Sequence, residues 1–197
     1  MNKRNFLMAA SAAGVALLVG CNDSPGSSAG AAGPRGSETV SVAAVAAQAK
    51  GFTVGSEMSV RRVFVFFDPQ CPHCAELWAA AKPLKAQARF IWIPVGLMND
   101  ASTAQGAALL AAADPVAAMD QHEASMRAKQ GGISGAGAPA EQKSQVEANT
   151  QLMNRFGFNS IPTIVANHAD TGALVVREGG LPTAALATAL GLQVPAN

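Results

Sequence analysis

Hydrophobic residues are spaced in different ways along this chain. From Phe6 to Gly20, "FLMAASAAGVALLVG", they form an uncharged apolar run. "RVFVFF", Arg62 to Phe67, is β-branched and aromatic throughout after its first residue, as a strand covered on both faces requires. Elsewhere the spacing is helical. In "TVSVAAVAAQAKG" (39–51), Val40, Val42 and Val45 mark one helix face, with Gly51 as the stop. Asp68-Pro69 closes the first strand. Pro72 then takes the first turn of a helix, "PHCAELWAAAKPLKAQA", expected to reach about Ala88 with a kink near Pro83. "RFIWIPV" (89–95) follows as a second strand, completing a β-α-β unit.

The stretch from about 99 to 156 is a helical insertion. It holds "TAQGAALLAAA", then "DPVAAMDQHEASMRAK", in which Asp114 caps and Pro115 occupies the first helical position. After the loop "GGISGAGAPA", a third helix, "AEQKSQVEANTQLMNRFG", stops at Gly157. The chain closes with a strand "SIPTIVAN" containing Pro162, a turn, a strand "ALVVR", and a helix in which Leu181, Leu186 and Leu190 face a sheet. The order is β-α-β, helical insertion, β-β-α, an α/β arrangement without internal repeats.

Charge and composition add a compartment. Lys3 and Arg4 precede the first apolar run, which is shorter than the roughly 20 residues of a spanning helix and has the make-up of an export signal. It ends in "LVGC", which resembles the lipobox of bacterial lipoproteins, where the peptide is cut before the cysteine and the thiol is lipidated. Residues 1–20 are then a signal peptide and Cys21 the lipidation site. An ordinary secretory signal with an unmodified Cys21 is the alternative. Asn22 after the cysteine points to the outer membrane by the enterobacterial sorting rule. Residues 21–39, rich in Gly, Ser, Ala and Pro, form a flexible tether. Residues 40–56 are an N-terminal helix and lead-in, and 57–197 one domain. The formal charge is +1, and −1 once Lys3 and Arg4 are removed. With no basic patch, nucleic acid is excluded as a partner.

The chain has three cysteines, and export exposes them to oxidising chemistry. Cys71 and Cys74 lie three apart. A zinc site needs four ligands, but His73 is trapped between the thiols and His122 and His168 are far along the chain. Haem attachment requires a histidine where Ala75 stands. A static disulfide across so short a loop stabilises little. A redox-cycling dithiol suits the position better. At the start of a helix the unpaired amides and the macrodipole favour a thiolate at Cys71. Cys74, one turn further in, is expected to be more buried and poised to resolve a mixed disulfide. His73 can add positive charge. His122, His168, Trp78 and Trp92 read as packing residues, and Met98, Met119, Met126 and Met153 as core filler.

"FFDPQCPHCAELW" followed by "SIPTIV" resembles the thioredoxin superfamily. The resemblance implies a thioredoxin-like fold with a central mixed sheet, Cys71 as nucleophile, Cys74 as resolving thiol and Pro162 as the cis-proline. The backbone at Ile161 would pair with a substrate strand. No cofactor beyond the Cys71–Cys74 disulfide is implied. The insertion and the closing "GGLPTAALATALG" are similar to the catalytic domains of the periplasmic DsbG and DsbC proteins, DsbG most. Such proteins act on cysteines of exported proteins and are kept reduced by the membrane protein DsbD. Their dimerisation domain has no counterpart here, so a monomer is expected, held to the membrane by its lipid. Pro72-His73 is the dipeptide of the oxidant DsbA, whereas Ile161-Pro162-Thr163 is thioredoxin's own. The two pull the potential toward opposite ends of a range of about −270 to −120 mV. The dipeptide abuts the sulfur and is expected to prevail, making the pair oxidising. The rival reading is a thioredoxin-like copper-handling lipoprotein, since thiolates suit Cu(I).

Overall fold

A computed structural model describes residues 36–195. The expected signal peptide, Cys21 and most of the tether lie outside the described residues. In chain order the elements are α1 (Val42–Gln48), β1 (Phe52–Gly55), β2 (Arg62–Phe67), α2 (Pro72–Ala81), a 3-10 turn (Lys82–Leu84) and β3 (Arg89–Pro94). Then follow α3 (Asp100–Ala111), α4 (Pro115–Arg127), α5 (Ala140–Arg155), β4 (Thr163–Asn167), β5 (Leu174–Glu178) and α6 (Thr183–Leu190).

The strands form one mixed sheet in the order β1-β3-β2-β4-β5. Only β2 and β3 are parallel, as the α2 crossover between them demands. β2 is the middle strand, with Val65 opposite Trp92 on one side and Ile164 on the other. That position explains its unbroken apolar run. Its side chains alternate between two cores. Val63, Val65 and Phe67 join Phe90 and Trp92 under Leu77 and Trp78 of α2, Met119 of α4, and Leu186 and Leu190 of α6. Phe64 and Phe66 join Ile93 under Val45 of α1 and Leu152 and Met153 of α5. α2 is clamped by aromatic edges: its Trp78 meets Trp92 at 4.9 Å between centroids and Phe52 at 6.2 Å. Such pairs add about 1 kcal/mol each beyond burial. The helix carrying the cysteines is thus fixed to the sheet.

Several local expectations hold. Asp114 accepts from the amides of Val116 and Ala117 at the start of α4. Gly157, just past α5, has φ +75°, a conformation that glycine alone adopts cheaply.

Others are corrected. The lead-in hides a strand: β1 pairs antiparallel with β3, Thr53 opposite Ile91. Gly51 does not stop α1, which ends three residues earlier. A Cβ at Gly51 would sit 2.4 Å from the Trp92 carbonyl oxygen, so this glycine permits the close approach of the two strands. α2 ends at Ala81 rather than running kinked to Ala88, because Pro83 cannot supply the amide that another helical turn needs. α3 starts at Asp100, capped by Asn99, before the expected Thr103. Met98 is 53% exposed and fills no core. The end of the expected tether is tied down, the Gly36 amide donating to the Asn154 carbonyl and Arg155 Nε to Glu38 Oε2 at 3.2 Å. No helix among the described residues is long and apolar enough to cross a membrane.

Candidate active site

Cys71 is the N-cap of α2, with Pro72 in the first helical position. Pro72 has no N–H to satisfy there, so the amides of His73 and Cys74 are the first that face the sulfur. Both cysteines are free thiols, and both are buried, Cys71 with 5% of its surface exposed and Cys74 with 1%. The hydrogen bond from the Cys74 thiol does most to bring the Cys71 thiol down to about 6, and the amides of Cys74 and His73 reinforce it against burial. The His73 ring contributes least of the named causes. It lies on the surface with Nδ1 3.1 Å from Glu76 Oε2, which raises its own pKa. At position 73 the main chain therefore matters more to the sulfur than the side chain does. Cys74 moves the opposite way: burial pushes its thiol far up, and the Cys71 thiolate adds to the shift. The two thiols are thus shifted in opposite directions.

Ile161-Pro162 is a cis peptide bond immediately before β4. It brings the Ile161 carbonyl oxygen to 3.9 Å from Cys71 Sγ, across 90 residues of chain. The expected residues Cys71, Pro72, His73, Cys74, Ile161 and Pro162 thus occupy one place. His168 is elsewhere, its Nδ1 accepting from the Asp170 amide.

The structure adds residues that the spacing of the cysteines does not reveal. Asp68, wholly buried, accepts from the amides of Gln70, Leu97 and Met98 and from the Ser102 hydroxyl, at 2.6 to 2.9 Å. A buried carboxylate is tolerable when so fully bonded, and this one ties the turn before Cys71 to the start of α3. His122, also fully buried, holds the same turn from α4. Its Nε2 donates to the Pro69 carbonyl at 2.7 Å and its Nδ1 accepts from the Ile133 amide at 3.2 Å. That pair of bonds requires the neutral ring, and burial lowers its pKa accordingly. Gln70 and Gln105 complete the tie by donating to the Gly131 carbonyl. On the same face of α4, Glu123 is 2% exposed and borders a mainly apolar cavity of about 390 Å³ that also touches Cys71, Pro72 and Met126. Met119, His122, Glu123 and Met126 follow the i, i+3, i+4, i+7 spacing of one helical face. That was the available signal that His122 and Glu123 turn inward with the two methionines.

Among the described residues, no cluster of three or more His, Cys, Asp or Glu side chains is placed to hold a metal.

Comparison with known proteins agrees with this geometry. The family described as thioredoxin-like domain matches residues 56–193. The thiol:disulfide interchange protein DsbG of Pseudomonas aeruginosa is 35% identical over 135 residues, covering 66% of this chain and 51% of that protein. Its counterpart from Escherichia coli is 37% identical over 110 residues, covering 52% and 42%. The chain therefore spans about half the length of these curated relatives. Among solved structures, the catalytic domain of Proteus mirabilis ScsC superposes with a TM-score of 0.58 at 17% identity, covering 76% of this chain and 96% of that one. A periplasmic thioredoxin-like protein from Salmonella enterica serovar Typhimurium gives 0.59 at 15% identity, covering 78% and 97%. At those identities the likeness is one of fold. With its cysteine pair at the head of α2, its cis-proline opposite and its sheet order in place, this chain belongs to the thioredoxin-like domain family.

Proposed function

We propose that this protein is a thiol:disulfide oxidoreductase of the bacterial cell envelope, exchanging disulfides with exported proteins through Cys71 and Cys74. The observation that carries the reading is the asymmetry of the pair at the head of α2: Cys71, the N-cap, is acidified chiefly by the hydrogen bond from the Cys74 thiol, while the more buried Cys74 retains its proton. In the reducing direction the Cys71 thiolate attacks one sulfur of a substrate disulfide, and the other substrate sulfur leaves. Cys74 then loses its proton and attacks Cys71. The second substrate sulfur departs, and two electrons have passed from the dithiol to the substrate. The oxidising direction is the same sequence reversed. The Ile161 carbonyl, beside Cys71 Sγ, is positioned to accept a backbone N–H from an extended substrate segment. Pro72 and His73 modulate the pair, and Ile161 with Pro162 receives the substrate backbone.

The name of the DsbG relatives, thiol:disulfide interchange protein, supports the exchange reaction; exported proteins with cysteines as substrates and a periplasmic setting are part of the proposal. A membrane electron donor of the DsbD type, a monomeric state and an outer-membrane lipid anchor at Cys21 complete the proposal. No cofactor beyond the Cys71–Cys74 disulfide is needed for the exchange. The copper-handling alternative gains nothing from the geometry, since His122 is occupied by Pro69 and Ile133 and the His73 ring pairs with Glu76. The test is Cys71→Ser in insulin reduction and in oxidation of a dithiol peptide. Both activities should vanish; persistence of either sinks the reading.

A further inference from the structure

Glu123 is a buried carboxyl without the partners that buried carboxyls ordinarily have. Its Oε2 is shielded from solvent and has no hydrogen-bond partner in the protein. It borders a mainly apolar cavity that Cys71, Pro72 and Met126 also line, with Arg127 and Glu76 as its other charged members. An ionised carboxylate there has no hydrogen-bond donor at Oε2, and Arg127 acts on it through its charge alone. Across the same cavity, the reaction creates and destroys a charge on Cys71. Two groups that share a low-dielectric space cannot both be anionic at low cost, so their protons are linked.

We propose that Glu123 is the proton store of the dithiol, holding a proton while Cys71 is a thiolate and giving it up when Cys71 is bound in a disulfide. This rests on the redox reading of Cys71 and Cys74 and specifies where its protons go. The balanced reducing step starts from the Cys71 thiolate, the Cys74 thiol, protonated Glu123 and a substrate disulfide. It ends with the Cys71–Cys74 disulfide, ionised Glu123 and two neutral substrate thiols. Two electrons move to the substrate, one proton comes from Cys74 and one from Glu123. The charge is −1 on both sides. In the oxidising direction Glu123 takes a proton from the incoming dithiol. No co-reactant beyond the substrate is involved.

The surroundings of Glu123 fit this role. Burial is the main cause raising its carboxyl to about 7, with Cys71 and Asp120 adding to the rise and Arg127 and Lys82 opposing it. Asp120 is itself occupied by Lys82 and the Trp78 indole. Glu76, on the cavity wall, is turned to His73 at the surface. Of these groups, Cys71 is the one whose charge the reaction changes.

The experiment is a thiolate titration of the reduced protein by absorbance near 240 nm, comparing wild type with Glu123→Gln. In wild type the Cys71 thiolate should appear in two steps, because ionisation of Glu123 interrupts it. In E123Q a single step is expected, with its midpoint at or below that of wild type. Superimposable curves, or two steps in both proteins, overturn the proposal. A second measurement needs no substitution at 123: the Glu123 carboxyl carbon is followed by NMR against pH in the reduced and disulfide forms. Its midpoint should be higher in the reduced protein, and equal midpoints overturn the proposal even if E123Q does not fold. Neither measurement uses a substrate. Loss of the oxidoreductase reading would appear only in the Cys71→Ser assay, so the two failures are separable.

Discussion

Cys71 stands between two buried carboxyl groups, one in the turn that leads into α2 and one on α4. Asp68 is saturated: three amides and a hydroxyl donate to it, tying it to the start of α3. Glu123 faces an apolar cavity with an oxygen that no group in the protein satisfies. Both residues are at least 98% shielded from solvent, so burial alone does not distinguish them. Their partners do. A carboxylate with its full set of donors is a structural tie. One without them is held neutral by the same burial and becomes responsive to a charge nearby. Near Cys71 there is thus one fully bonded carboxyl group and one with an unsatisfied oxygen.

The comparison can be broken first at Asp68. Asp68→Ala strands three amides and the Ser102 hydroxyl, and should cost about 3 kcal/mol or more in urea unfolding of the reduced protein. A loss below about 1 kcal/mol would mean that the turn is held chiefly by other contacts.

Glu123 should behave with the opposite sign. Its folded pKa is raised, to about 7. Its contribution to stability is then fully present below the pKa of the unfolded chain and is lost as pH rises through the folded value. Wild-type stability relative to Glu123→Gln should therefore fall by about 3 kcal/mol between pH 4 and pH 8. A constant difference across that range would contradict a neutral carboxyl in the cavity.

His122 makes a smaller but related contrast. Its folded pKa is depressed by burial, so its contribution is present above the unfolded value and is lost as pH falls through the folded one. His122→Phe should cost about 2 kcal/mol near neutrality, from the unsatisfied Pro69 carbonyl and Ile133 amide. It should also remove part of the wild type's loss of stability on acidification. Urea midpoints of both proteins at pH 7 and pH 5 would check both effects, and an unchanged acid sensitivity would rule out the titration.

The smallest effect is expected at His73. Its ring is exposed and is the least of the causes that acidify Cys71. His73→Ala should raise the midpoint of Cys71 alkylation by iodoacetamide by only a few tenths of a pH unit. A shift of a full unit would show that the ring, and not the Cys74 thiol with the main-chain amides, governs the sulfur.

The potential of the pair sharpens the same point. If the Pro72-His73 dipeptide acts mainly by ordering main-chain amides at Cys71, the potential should lie toward the oxidising end of the family range, near about −120 mV, and change little in His73→Ala. Glutathione equilibration would measure it. A value near about −270 mV would assign control to Ile161 and the surrounding sheet.

What was legible in the chain was what depends on neighbours in sequence. Pro72 after Cys71, Asp114 before Pro115 and the unbroken "RVFVFF" each act through local bonds or through a burial pattern that a few residues display. The cysteine pair at a helix start was therefore evident, as was the order of most elements. β1 was not legible: four residues ending in glycine carry too little pattern, and it is a strand only because the edge of β3 pairs with it. The extension of α2 past Pro83 was an error of the same kind, a stretch of good helix formers whose final turn the sheet and the proline do not allow.

The sequence by itself determined that one thiol would stand at the N-terminus of a helix with a second thiol one turn behind. The amides and the spacing that produce this are covalently local. Only the tertiary structure decided what surrounds that thiol. The Ile161 carbonyl, the imidazole of His122 and the carboxyl of Glu123 come from 90, 51 and 52 positions further along the chain. Whether a buried acid becomes a brace or a titrating group depends on which donors reach it, and those donors are assembled when the sheet and the insertion pack together.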